Sequence, residues 1–443
     1  MYVCGPTLYD FPHIGNARPL VVFDTLYRLL KELYPNVFYV RNVTDIDDKI
    51  INKSKETGLS LEEVVAKYYK IFQSNLKSLN CIKPNVEPFV TDHIKEIIDF
   101  ISLLLKQGYA YENKGNIFFN TTKLNSYGEL SGRVIANNLC GYGNDSIVKD
   151  MKLNQEDFVL WKSSKPDEPY WDSPFGRGRP GWHTECTVLS YKYLGKEFDI
   201  HGGGSDLLFP HHENERAQTI AAFGCNHSAN IWMHNAFINI NDTKMSKSLG
   251  NIVTINDILN KYQGEVLRLA ILLTHYRHPI DFTDKLLEQA KIVLDKIYNA
   301  LKIAEESIVV NNKNFDNSDL KYNNLSQKFI LALLDDLNTP LAISELQKLT
   351  NLLNKTTSEN KRLEIYYVIK YCGSILGLLN FDTKKWFSYN LDLDSSVIDQ
   401  LIKERNLAKY NKDYATADKI RDKLLKLGIS LEDTKNGTIW KKI

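Results

Sequence analysis

Cys4, Cys186, His211 and Glu215 are the side chains in this sequence whose types together suit a borderline-soft metal ion. Thiolate, imidazole and carboxylate all bind zinc, and two sulfurs, one nitrogen and one oxygen would fill a tetrahedral site. His211 and Glu215 lie four apart in Phe209-Pro210-His211-His212-Glu213-Asn214-Glu215. With Pro210 at the start of a helix, as its fixed φ favours, the two side chains share one face. Cys4 and Cys186 would then supply thiolates from the carboxyl ends of neighbouring strands. The chain has no CxxC pair, and Cys186, between Thr184 and Val188, also suits a buried helix position. Spacing alone leaves both readings open. His212 and Glu213 point elsewhere on the helix, and His212 is the better candidate for a group that supports the ligands.

A second chemistry is anion binding. His13-Ile14-Gly15-Asn16 stands directly before a long apolar-periodic segment. Free backbone N–H groups and the helix dipole there favour a phosphate, and Gly15 lets a ligand approach the backbone. A loop histidine followed by a capping asparagine is the plainer alternative. Lys244-Met245-Ser246-Lys247-Ser248-Leu249-Gly250-Asn251 offers two lysines three apart among small residues, which suits a polyphosphate or a solvated turn. His201-Gly202-Gly203-Gly204-Ser205-Asp206 follows an apolar strand. Its glycines cost chain entropy, so a flat ligand against the backbone is expected, although the spacing excludes a GxGxxG dinucleotide loop. Gly176 to His183 is glycine-rich and cationic just ahead of Cys186, which predicts a nucleotide loop beside the metal.

The elements that must carry these residues alternate. Tyr2-Val3-Cys4 and Val37 to Val43 are predicted strands. A helix is expected from Asn16 or Ala17 with Val21, Val22, Leu26, Leu29 and Leu30 on its apolar face. Ser60 and Glu63 form a capping box ahead of Val64, Val65, Tyr68 and Ile71, and another helix runs from Thr91 to Gln107. This order implies a doubly wound parallel sheet. Tyr109 to Asn120 and Asp157 to Lys162 are predicted strands of a smaller inserted unit, with a loop at Leu139 to Asp150. The pattern resumes with a helix carrying Cys186, a strand at Phe198 to His201, a helix after Pro210 and a strand at Ile231 to Ile238. Thr254 and Asp257 cap a local helix. Beyond 284 the chain is mostly helical, with polar breaks at 308–324 and 381–395.

Composition sets the frame. A chain of 443 residues, 43% hydrophobic and 25% charged, suits a globular protein of several domains. A net charge of +1 gives no whole-molecule attraction to nucleic acid, so an acidic partner would be met by local patches. The six cysteines at 4, 81, 140, 186, 225 and 372 are too scattered for a disulfide framework and fit a reducing cytoplasm. No membrane span or secretory signal is expected.

Together these blocks resemble the cysteinyl-tRNA synthetases, a family of class I aminoacyl-tRNA synthetases. The resemblance runs from Met1–Thr7 through His13–Asn16, Asn42–Lys49, Gly181–Cys186, Asp199–Glu215 and Lys244–Asn251 to Thr434–Trp440. It implies a Rossmann-like α/β doubly wound parallel sheet with an inserted connective unit, followed by a helical bundle and a small C-terminal domain. The expected boundaries are 1–110 and 171–238 for the two catalytic halves and 111–170 for the insert. A lysine-loop junction spans 239–290, the bundle on the anticodon-arm side 291–385 and the small C-terminal anticodon-recognition domain 396–443.

The resemblance also implies roles. Cys4, Cys186, His211 and Glu215 would bind one Zn2+ that receives the thiolate of substrate L-cysteine, an ion that prefers thiolate to the alcohol of serine. Gly5, Thr44, Trp182, His201 and Asp206 would line the amino-acid pocket. His13, Asn16, Lys244 and Lys247 would drive adenylate formation, with Gly5, Thr7, Gly15, Gly202 and Gly204 also holding ATP and its Mg2+. Asn16 stands where many class I enzymes have histidine, and it still donates a hydrogen bond. Cysteine tRNA is the expected partner of a cytoplasmic monomer.

Residues 401–443 hold eleven Lys/Arg against six Asp/Glu, compatible with phosphate contacts. Trp440 is expected either to stack on an exposed base or to anchor the tail. An amino-sugar cysteine ligase would share the catalytic half but lack this tail, and a non-catalytic RNA-binding paralogue would have lost the lysines, glycines or ligands. Cys4 has three residues before it, whereas relatives usually carry a further edge strand. A fraying terminus and a loosely held first ligand are therefore expected, unless the true start lies upstream.

Overall fold

Strand β1 (Tyr2–Val3) is not frayed. It lies inside a four-stranded parallel sheet of order β2 (Val40–Arg41), β1, β7 (Phe198–Gly204), β8 (Ala229–Asn235), with Tyr2 wholly buried and Val3 nearly so. The expectation of a loose terminus is corrected here, because pairing on both sides holds these two residues. The computed structural model describes residues 1–133, 149–240, 243–244, 250–307, 323–387, 395–434 and 437–442. Two compact units emerge, Met1–Thr283 and Asp284–Ile443.

In the first unit, helix α1 (Ile14–Leu33) follows β1, and strand β2 (Val40–Arg41) returns beside it. Helix α1 starts earlier than its sequence pattern suggests because the Ile14 N–H is fixed by the Val253 carbonyl. Helices α2 (Asp48–Thr57) and α3 (Leu61–Ser78) come next. The Ser60 hydroxyl accepts from the Glu63 N–H at 3.2 Å and the Glu63 carboxylate from the Ser60 N–H at 2.8 Å, a cap worth ~1 kcal/mol. Behind that cap Val64, Tyr68, Phe72 and Leu76 recur every four residues and are buried on one face. Helix α4 (Ile94–Lys106) then leads into the insert.

The expected strand at 109–120 is a hairpin, β3 (Ala110–Asn113) and β4 (Asn116–Phe119), turning at Lys114-Gly115. Both turn residues have positive φ, a conformation that suits a tight hairpin turn. With β5 (Phe158–Ser163) and β6 (Gly178–Pro180) it forms an antiparallel sheet. The expected loop at 139–150 lies almost wholly outside the described residues.

The parallel α/β pattern resumes with α5 (Trp182–Leu194), β7 (Phe198–Gly204), α6 (Glu213–Phe223) and β8 (Ala229–Asn235). Pro210 does not open α6 but lies in an irregular turn, Leu208–His212, ahead of it. The strand expected to run to Ile238 breaks at Asn235. Ile238–Ile240 is a separate strand, β9, in a small sheet with β10 (Thr243–Lys244) and β11 (Ile280–Asp281). Between β10 and β11 lie α7 (Ile255–Leu259), capped by Thr254 and Asp257, and α8 (Gly264–Leu272).

The second unit packs helices Asp284–Ser307, Asn324–Leu334, Thr339–Lys355 and Glu359–Ile375. The break expected at 381–395 is partly helical, at Thr383–Phe387. Trp386 there is buried, stacked on Tyr298 and donating its indole N–H to Asp295, which fixes the segment. Helices Ser395–Tyr410 and Tyr414–Lys426 and a hairpin, β12 (Ile429–Thr434) with β13 (Gly437–Lys442), complete the chain. Among the described residues, no helix is long and apolar enough to cross a membrane.

Candidate active site

All strands of the central sheet run parallel, so their carboxyl ends open on one edge, the usual ligand crevice of such sheets. Cys4 leaves the end of β1, and its N–H donates to the Gly202 carbonyl in β7. Gly5 follows, donating to Asn42 Oδ1 at 2.8 Å, and a Cβ there would fall 1.6 Å from the Asn42 carbonyl oxygen. Only glycine lets this turn form, so Cys4 is aimed by its neighbour. Cys186 comes from α5, and His211 and Glu215 come from the turn before α6 and its first turn.

The four side chains meet. Cys4 Sγ lies 3.7 Å from Cys186 Sγ and 3.3 Å from Glu215 Oε1, and His211 Nε2 lies 3.0 Å from the same oxygen. A tetrahedral zinc ion with bonds of ~2.0–2.3 Å sets its donors ~3.3–3.8 Å apart. Two thiols, an imidazole and a carboxylate, mutually within 4.8 Å and largely buried, fit that ion. Burial works against every charge here. At Cys186 it is outweighed by the hydrogen bond with Cys4 and the His211 charge, which bring the thiol down to about 6. Burial likewise opposes His211 protonation, but Glu215 and Cys186 raise it to about 10. Glu215, desolvated yet flanked by His201 and His211, is held well below the usual carboxylate range. Burial and the Cys186 sulfur push Cys4 up.

Around the quartet lies a shell of imidazoles, of which His212 is in the supporting role expected from the sequence, whereas His183 and His234 were not anticipated there. His212 is wholly buried, with Nε2 3.4 Å from Cys4 Sγ and Nδ1 2.8 Å from His234 Nε2. His183 Nδ1 contacts His211 Nδ1 at 2.9 Å, and Trp182 stacks on His211 at 4.3 Å. Burial keeps His183 and His212 well below the usual histidine value and lowers His234 to about 4. His234 had one available signal. It stands two residues after Trp232 in an apolar strand, so both face the same side.

The predicted amino-acid pocket residues divide. Trp182 and Asp206 line a cleft of about 630 Å³ together with Thr7, Asp47, Lys49 and His183. Thr44 is buried and donates to Glu185 at 3.0 Å. His201 lies behind the quartet, its Nε2 2.8 Å from Glu215 Oε2, and it does not line the cleft.

The glycine run forms the end of β7 rather than a loop. A Cβ on Gly202 would meet the Phe23 ring at 2.2 Å and one on Gly203 the His212 ring at 2.8 Å. The protein's own packing therefore requires those two glycines. Gly204 closes the strand, where a Cβ would meet Asp206 Oδ1 at 2.3 Å.

His13, Gly15 and Asn16 form the amino end of α1, where Asn16 Oδ1 accepts from the His13 N–H at 3.0 Å. Lys244 ends β10, with its side chain outside the described residues, as is all of Lys247. The segment expected as a cationic loop ahead of Cys186 has its charges engaged. Arg177 makes an exposed pair with Asp172, whereas Arg179, in the edge strand packed on β5, pairs with Asp48 and lines the cleft. Trp440 lies in β13 opposite Leu431, and its side chain is outside the described residues.

A parallel sheet, a helix amino end beside it and a Cys/His/Glu quartet at its carboxyl edge are the arrangement expected of a class I aminoacyl-tRNA synthetase. The family described as tRNA synthetases class I (C) catalytic domain matches residues 1–292, and the DALR domain matches 328–380. The cysteine--tRNA ligase of Saccharophagus degradans is 45% identical over 100% of this chain and 95% of its own length. That of Clostridioides difficile is 46% identical with the same coverage of both chains. The chain belongs to the cysteine--tRNA ligase family. Its fold also resembles the methionyl-tRNA synthetase of Mycobacterium tuberculosis bound by methionyl-adenylate, with a TM-score of 0.56 at 14% identity over 85% of this chain and 89% of that one. The LeuRS–tRNA–LeuAMS ternary complex of Agrobacterium radiobacter K84 gives 0.59 at 11% identity over 88% and 84%.

Proposed function

We propose that this chain activates L-cysteine with ATP and transfers the cysteinyl group to cysteine tRNA. The observation that carries the reading is the Cys4, Cys186, His211 and Glu215 quartet beside a cleft walled by Trp182 and Asp206. When bound there, Zn2+ supplies a soft Lewis-acid contact that selects a substrate thiolate over an alcohol. Trp182 walls the pocket, Thr44 and His201 support it from behind, and the Asp206 carboxylate faces the cleft to take the substrate ammonium. The Gly5 turn keeps the backbone flat beside the substrate.

In the first step a carboxylate oxygen of cysteine bonds to the α-phosphorus of ATP, and the bond from that phosphorus to the bridging oxygen breaks. Pyrophosphate leaves with its electron pair, accompanied by Mg2+. The amino end of α1 at His13, Gly15 and Asn16, with Lys244 and Lys247, meets the charge on the phosphoryl oxygens. One such donor is worth roughly 10²- to 10³-fold in rate. Thr7, Gly202 and Gly204 hold the nucleotide against the sheet edge. The 2′-hydroxyl of the terminal tRNA nucleotide then attacks the adenylate carbonyl and AMP departs. Trp440 stacks on an exposed base of the tRNA. The protein works in the cytoplasm, where its five described free cysteines stay reduced.

Cysteine-dependent exchange of pyrophosphate into ATP, followed by charging of cysteine tRNA, tests this. Exchange with cysteine and none with serine is expected. Exchange without charging would leave only the activation half standing, and no exchange would overturn the reading.

A further inference from the structure

Arg18 follows Asn16 by two residues on α1, was not singled out by any motif, and is wholly buried. Its guanidinium donates to five backbone carbonyls. Nη1 reaches Ala236 at 2.8 Å and Phe237 at 2.6 Å. Nη2 reaches His275 and Tyr276, each at 3.2 Å, and His278. The carbonyls come from two separate stretches of chain. One leads from β8 into β9 and the other into β11, and these two strands pair with Ile238 opposite Ile280. β10, which ends at Lys244, pairs with β9.

One side chain on the helix that opens at His13 therefore holds the root of the small sheet whose outer strand ends at Lys244. The returning chain is tied to the same turn from the other side. Ile14 N–H donates to the Val253 carbonyl at 3.0 Å, and Ile255 N–H to the Pro12 carbonyl at 2.9 Å. The break in the expected 231–238 strand has the same cause, since Arg18 draws the Ala236 and Phe237 carbonyls to itself.

A buried guanidinium is costly unless its donors are met. An apolar side chain would fill the space without that cost. A planar fork that takes backbone carbonyls from two stretches instead fixes their distance and orientation together. We propose that Arg18 is a positioning residue for adenylate formation, setting the strand that ends at Lys244 against the His13–Asn16 turn so that both meet one triphosphate. This rests on the ATP assignments proposed above.

The test uses the zinc-loaded full chain with Arg18→Lys and Arg18→Met. Three quantities are read: unfolding temperature, pyrophosphate exchange at varied ATP and cysteine, and single-turnover transfer from preformed cysteinyl-adenylate to tRNA. A misplacement of about 1 Å costs on the order of 100-fold, so the exchange kcat of folded variant is expected to fall by that factor. The KM for cysteine and the transfer rate are expected to stay unchanged. Losses that merely follow the folded fraction, or equal losses in exchange and transfer, would overturn the proposal. If Arg18→Met does not fold, Arg18→Lys, which keeps the charge and the stem, decides, and failure of both to fold shows a structural role alone. Wild-type protein without exchange would sink the functional reading instead, whereas an active wild type with equally active variants sinks only this one.

Discussion

The metal quartet and the small tail from Ser395 to Lys442 are built on opposite plans. The quartet draws residues 4, 186, 211 and 215 to one buried point, and further imidazoles hold those ligands from behind. The tail draws on neighbours in sequence. Two helices and a hairpin enclose a core of Ile398, Leu401, Ile402, Leu424 and Ile429. Outside it Leu407, Tyr410, Tyr414 and Leu425 are exposed. One bidentate ion pair, Arg405 with Asp433 at 2.9 Å on each arm, joins the first helix to the hairpin. A site that must discriminate sulfur from oxygen needs donors fixed within a fraction of an ångström, and long-range packing supplies that. If the tail meets tRNA, as proposed, a surface that follows a large polyanion needs reach more than rigidity.

The largest effect should come from the quartet itself. Cys186→Ala and His211→Ala each remove a ligand from the buried set. Losing a supporting partner of a metal site already costs roughly 10- to 100-fold, and these variants should exceed that in cysteine-dependent exchange while losing zinc by metal analysis. Retention of both zinc and exchange would break the contrast between the two regions. Next in size is the supporting shell. His234→Ala leaves His212 Nδ1 without its 2.8 Å partner. His212 itself supports Cys4, so metal affinity should fall by less than the roughly 10- to 100-fold lost with a ligand's own partner, read by competition with a chelator, with the fold intact by circular dichroism.

Gly203→Ala separates packing from ligand binding at the glycine run. The added methyl meets the His212 ring at 2.8 Å and Leu207 at 3.0 Å. An overpacked core of this kind is destabilised by about 1–3 kcal/mol. Thermal unfolding without any nucleotide should show that loss, and a stability equal to wild type would restore the ligand explanation for this position.

What the sequence made legible follows the same division. Residue chemistry is local, so the Ser60–Glu63 cap could be named from types and spacing, whereas spacing alone left two readings of Cys4, Cys186, His211 and Glu215 open and the family resemblance chose between them. His234 could not be placed in the shell, because it reaches His212 only through the parallel register of β7 and β8, where Gly203 stands opposite His234. At Gly202 and Gly203 the sequence also gives no sign of the packing requirement, an aromatic ring from a distant part of the chain. The end of β8 was misjudged for a related cause, a buried arginine more than two hundred residues earlier that takes its carbonyls. Tertiary contacts of this kind override strand pattern without leaving a mark on it.

The tail offers the smallest effect. The Asp433 carboxylate is held well below the usual range, chiefly by its hydrogen bond with Arg405 and then by those with Lys409 and Thr438. A depressed folded pKa means that the unfolded chain takes up the proton first. The contribution is therefore present at neutral pH and is lost as pH falls below the ordinary aspartate value of about 3.9. Asp433 is 46% exposed, so solvent screening keeps it small. Arg405→Met should loosen the hairpin's amide-exchange protection at pH 7 and flatten its dependence on pH between neutrality and about 3. Cysteine-dependent exchange should not change, while charging of tRNA weakens. If activation fell together with charging, the tail would share the organisation of the quartet, and the contrast between a preorganised centre and a loosely joined periphery would fail at its weakest joint.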